Sequence, residues 1–233
     1  MSELGGLDIG MPDEGTGGGP EALSDEAKQR FAAAAAAMQQ IRKEEKKSKK
    51  RDDQVAKTIV KFLSNQNNTR LFILISRLVA RDCPSIFILA ILSLIDEDST
   101  NAVQAYLQET LQKTEKDMIG DSMALTKNDQ LDTDTNAALI AWITRMQMVL
   151  ALEPEKILMK LMIDERNIDG TVLQLTTFVL QDFFQSRRKG IEFAELQQLT
   201  ASILQSVFQP FVSGVRKRLA EQAAAMKNEK EDE

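Results

Sequence analysis

Apolar side chains recur at helical intervals along most of the chain. Val55, Ile59, Phe62 and Leu63 are spaced as one face of a helix, and the polar run 65–69 ends it. Leu71 to Val79 continue as a second helix, and Pro84 opens a third, where a missing N–H costs nothing. That helix ends at the acidic turn 96–100, with Thr100 as the cap of the next, which carries Val103, Leu107 and Leu111 on one side. After a polar, aperiodic loop at 120–132, Asp132 or Thr133 caps a helix over 134–152. Its nearly all-round apolar character marks it as central and buried. Pro154 sits in the first turn of a helix bearing Ile157, Leu158, Leu161 and Met162, and 167–170 form a turn. Thr171 to Arg188 form the next helix, closed by Gly190 as the left-handed residue after its end. A last helix carries Leu196, Leu199, Ile203, Val207, Phe211, Val215 and Leu219, with a kink or a fresh start at Pro210.

No stretch alternates with period two for long, and no hairpin signal separates β-branched runs. The expected fold is all-α, an irregular bundle of about seven to nine helices. Four segments organise it. Residues 1–23 hold seven of the eleven glycines and form a disordered acidic arm, because they bury too little apolar surface to offset ordering entropy. Residues 24–51 are an alanine-rich, then basic, projecting helix with little to bury. Residues 52–225 are the helical core, and 226–233 a charged, fraying tail.

Composition narrows the chemistry. Histidine is absent, which removes Ser-His and Cys-His pairs, imidazole acid–base steps and the common zinc ligand sets. The single cysteine, Cys83, cannot form an internal disulfide and reads as a small apolar residue beside Pro84. The N-terminus is acidic and glycine-rich rather than basic and apolar, which argues against a secretory leader and for a cytoplasmic location or an intracellularly assembled particle. The apolar stretch 71–95 is broken by Arg77, Arg81, Asp82 and Pro84, and reads as two core helices rather than a membrane span.

Each catalytic or metal pattern has a simpler explanation. The glycines at 15–19 lack the lysine and hydroxyl of a phosphate-binding loop. Two calcium-loop near-matches, around Gly170 and around Asp132, lack the closing glutamate. Their acids, like Asp96 with Asp98 and Asp132 with Asp134, serve as helix caps. Ser186 and Lys189 satisfy a Ser-x-x-Lys spacing without its companion elements. Arg77, Arg81 and Arg145 lie in apolar helices, where each must snorkel, pair or face a partner. No cofactor and no small-molecule substrate is expected.

What stands out is charge. Residues 1–27 carry seven acidic side chains and no basic one, residues 28–61 eleven basic and four acidic, while the whole chain is −6. The expected partner-binding residues are Arg42, Lys43, Lys46, Lys47, Lys49, Lys50 and Arg51. Function is therefore expected to be non-enzymatic: a structural, scaffolding or adaptor subunit that binds protein, with self-association included. Virus or phage particle assembly is one setting with such an architecture. The alternative is nucleic-acid binding through 42–51, which the pI near 5.0 and the lack of aromatics among the basic residues weaken.

Overall fold

The structure, a computed structural model, describes residues 25–112, 131–188 and 190–231. The eight regular elements among them are all α-helices. The expected arm at 1–23 and most of the loop at 120–132 lie outside the described residues. In chain order the helices are α1 (Asp25–Asn65), α2 (Thr69–Val79), α3 (Ser85–Leu92), α4 (Glu97–Leu111), α5 (Thr133–Leu150), α6 (Pro154–Leu161), α7 (Gly170–Ser186) and α8 (Phe193–Glu231). The chain divides into two compact units, Met1–Lys47 and Ser48–Glu233. The division falls inside α1, which runs unbroken through Asp52.

In the first unit, α1 is helical by propensity. Ala32–Ala37 are the strongest helix formers, and Asp25 and Glu26 lie at the positive end of the helix dipole. Every side chain from Ala32 to Lys47 is exposed.

In the second unit the innermost element is α3, where every side chain from Ile86 to Leu92 is buried. It packs against α2, α4, α5 and α7, while α8 packs on α5, α6 and α7. The central helix expected at 134–152 is thus one of two, and α3 is the more completely enclosed. Trp142 of α5 is fully buried and its indole Nε1 donates to the carbonyl of Ala90 at 3.0 Å. Phe87 meets Phe208 of α8 edge-on, with ring centroids 6.0 Å apart. The end of α3 gathers polar groups: Ser93 Oγ donates to Ala90 O at 2.7 Å and receives Arg145 Nε at 3.2 Å. A buried cation there faces the negative pole of α3.

Helix ends depart from expectation in three places. The cap of α4 is Asp96, whose carboxylate accepts from Ser99 N at 2.7 Å. Thr100 instead donates its hydroxyl to Ser93 O at 2.6 Å, so the acidic run is the first turn of α4 rather than a separate turn. The left-handed residue after α7 is Arg188, at φ 55°, not Gly190. The neighbouring Arg187 guanidinium lies over the Phe183 ring at 3.8 Å. A cation over an aromatic face helps hold a turn that costs an L-residue roughly 1–2 kcal/mol. Finally, α8 continues through Pro210 and beyond Met226 to Glu231. Pro210 is exposed and Ser206 only half-buried, so the carbonyl that loses its donor is not sealed in the core.

No single helix among the described residues is long and apolar enough to cross a membrane. The bent pair α5–α6 meets the length and composition test, with a 99° angle between its helices, but α5 supplies ten buried residues to the core.

Candidate functional site

Arg42, Lys43, Lys46 and Lys47, in the first unit, and Lys49 and Lys50, at the start of the second, are all exposed. At 100° per residue the four of the first unit fall on one face of α1, within roughly 140° of arc.

Arg51 does not join them. Its side chain is 23% exposed, with Nη1 3.9 Å from Glu109 and the guanidinium carbon 5.6 Å from the Tyr106 ring centre. Its Nε is buried without a hydrogen-bond partner. Next to it, Tyr106 donates to Asp52 at 3.3 Å. Burial, and then the Asp52 charge, push the phenol up to about 12. Arg51 lies one helical turn before the buried Val55, so rotation carries it to the core side of α1, where with Asp52 it fastens the helix to α4.

A cleft of about 470 Å³ lies beside this contact, lined by Asp52, Tyr106, Asp82, Glu153, Lys156 and Lys160 above apolar Val55, Ile86 and Ile157. Nothing in the sequence pattern pointed to it, because its lining comes from segments far apart in the chain. Its cations are matched: Lys156 donates to Glu153 at 2.8 Å, which raises the ammonium pKa, and Lys160 to Asp82 at 2.9 Å. Cys83 also lines it, and burial pushes that thiol up to about 12. At neutral pH it is protonated, hence a poor nucleophile.

Asp132, Asp169 and Asp98, among the carboxylates singled out by spacing, make contacts within the fold. Asp132 accepts from Thr135 N at 2.9 Å and from its hydroxyl at 3.0 Å. Asp169 Oδ1 accepts from Thr171 N at 2.8 Å and Val172 N at 3.3 Å, while Oδ2 takes the Arg81 guanidinium. Asp98 pairs with Lys61. Among the described residues no three His, Cys, Asp or Glu side chains gather as metal ligands. Ser186 donates to Phe183 O at 2.8 Å, as a helix-end hydroxyl does. Of the three arginines in apolar helices, Arg77 is exposed, Arg81 pairs with Asp169 and Arg145 donates to Ser93.

Asp169 therefore holds α7 at its start and ties it to the turn after α2. Asp169→Ala should lower the unfolding free energy by about 2 kcal/mol, from a lost cap and a part-exposed ion pair. Arg81→Ala should cost under about 1 kcal/mol, because it spares the cap. Denaturant midpoints of the two variants check the order.

No protein-family model matches the chain, and neither does any curated protein or solved structure.

Proposed function

We propose that this chain is a non-enzymatic interaction protein, a structural, scaffolding or adaptor subunit that docks an acidic protein surface within a larger assembly. One observation carries the reading: Arg42, Lys43, Lys46 and Lys47 share one face of a helical stretch that buries none of its side chains from Ala32 to Lys47, and Lys49 and Lys50 are exposed as well. A long solvated helix without a core of its own gains little from the fold, whereas an acidic partner gives its charge a use. Two further features support it. The cleft's lysines are already matched by acids, and its thiol is held protonated. A viral or phage particle is one assembly of this kind.

Reversing Lys46, Lys47, Lys49 and Lys50 to glutamate tests the reading. The four-fold variant should fold as the wild type does, since all four side chains are exposed. Partners captured from native lysate by the wild type should be acidic, resist nuclease treatment, and disappear with the variant. Unchanged capture by the variant would sink the docking role. Capture that vanishes with nuclease and falls steeply with salt would transfer the same face to nucleic-acid phosphates.

A further inference from the structure

The cleft beside the α1–α4 contact is built like a small-ligand site. All of its lining residues belong to the second unit. Its volume of about 470 Å³ falls in the range that encloses a small organic molecule. Val55, Ile86 and Ile157 form its apolar floor, and each is buried by the helices around it. An apolar body resting on that floor leaves water, which is the non-directional part of affinity in such a site. The polar groups at the rim decide which head group that body carries.

The rim is not balanced. Three carboxylates, Asp52, Asp82 and Glu153, stand against two ammonium groups, Lys156 and Lys160. Glu153 takes Lys156 at 2.8 Å and Asp82 takes Lys160 at 2.9 Å. Asp52 is left over. Its Oδ1 accepts from the Tyr106 hydroxyl at 3.3 Å, and no cation among the described residues pairs with it. Arg51, beside the Tyr106 ring, pairs instead with Glu109 at 3.9 Å. The titrations agree in sign. Burial, then the Asp52 charge and, more weakly, Glu153 push the Tyr106 phenol up to about 12 against the pull of Arg51. Glu153 raises Lys156, and Asp52 adds to the rise. Both shifts mark a cleft that favours positive charge and disfavours negative charge. An anionic ligand would have to strip an acid from a lysine and then sit beside Asp52.

We propose that this cleft binds a small organic cation, an ammonium group held by Asp52 and carried by an apolar ring or short alkyl chain that rests on Val55, Ile86 and Ile157. The ammonium donates to the Asp52 carboxylate, where Tyr106 already holds the other oxygen. Binding, not turnover, is what the site provides. It goes beyond the docking role and does not rest on it, because it uses none of the basic side chains at 42–50.

Nuclear magnetic resonance on the full chain tests the site, because Tyr106 is the single tyrosine and its carbon-labelled ring reports the cleft alone. Three probes share one apolar body: cyclohexylmethylamine, cyclohexylmethanol and cyclohexanecarboxylate. At neutral pH the amine should shift the Tyr106 ring signals saturably, with a Kd on the order of 1 mM. The alcohol should bind about fivefold more weakly. The carboxylate should give no saturable shift, and methylammonium, which lacks the ring, should bind more than about tenfold more weakly than the amine. Asp52→Asn keeps the shape and the Tyr106 acceptor and removes the charge, so it should bring the amine to the alcohol's affinity. Lys160→Gln, which frees Asp82, should tighten the amine, a gain that damage to the fold cannot produce. Both side chains are exposed, so circular dichroism should match the wild type. The absence of a saturable shift with the amine overturns the proposal. So does a carboxylate that binds as tightly, an Asp52→Asn variant that keeps the amine's advantage over the alcohol, or a Lys160→Gln variant that fails to tighten it.

Discussion

Trp142→Ala lowers the unfolding free energy by about 4 kcal/mol, a large part of what a domain of this kind holds. The indole is fully buried and joins α5 to α3, the two most enclosed helices. Its loss removes a large apolar surface and leaves a cavity that helices packed on several sides cannot collapse into. The hydrogen bond matters less than the volume. Ala90 O keeps the Ser93 hydroxyl at 2.7 Å after the indole donor at 3.0 Å is gone. Trp142→Phe should therefore cost only about 1–2 kcal/mol. Met159→Ala, at a site 66% exposed, should stay within about 0.5 kcal/mol. Urea unfolding followed by circular dichroism measures all three, since the chain has no second tryptophan to report by fluorescence. A Trp142→Ala midpoint close to that of Met159→Ala would contradict this packing.

Alkali should unfold the protein in a way that depends on one thiol. Burial pushes Cys83 from 9.0 up to about 12, with the Asp169 charge adding to it. Below pH 9 the thiol keeps its proton in both the folded and unfolded chain, so its contribution to stability is full and constant. From pH 9 to 12 the unfolded chain ionises and the folded chain does not, so stability falls as pH rises. The loss amounts to about 4 kcal/mol across that window. Tyr106, raised from 10.0 to about 12, adds a smaller loss that begins above pH 10. Because that ring is only half-buried, solvent screening reduces its share. Cys83→Ala should keep near-neutral stability within about 1 kcal/mol and flatten the curve between pH 9 and 10. Equal slopes for wild type and variant in that interval would refute the thiol's part.

Much of the fold was legible because local rules suffice for it. Asp132 before α5, Pro154 at the start of α6 and the break at 65–69 each follow from capping, proline geometry or side-chain polarity within a few residues. The misplaced ends are those where competing local solutions were decided by distant groups. Thr100 could cap a helix, but Asp96 does so and frees the Thr100 hydroxyl for Ser93. Gly190 could take the left-handed turn, but Arg188 takes it two residues earlier, beside the Arg187–Phe183 contact.

The same division runs through the candidate site. Charge and helical spacing are properties of the chain itself, so the basic run at 42–51 is visible in the order of residues alone. Helix rotation then separates it. Six cations stay exposed, and Arg51 turns to Tyr106 and Glu109. The cleft beside Cys83 belongs to the tertiary structure alone, because Asp52, Asp82, Tyr106 and Lys160 meet only once α1, α4, α6 and the turn after α2 have packed.

By itself the sequence determined that the chain is helical, where most helices begin, and which reactive groups it lacks. Those follow from backbone propensity, spacing and composition, which act over one or two turns. Only the tertiary structure decided which of two apolar helices lies deepest and which arginine is withdrawn from the exposed basic run. Each depends on what a side chain meets across the core, and pairwise packing between distant segments leaves no local signature along the chain.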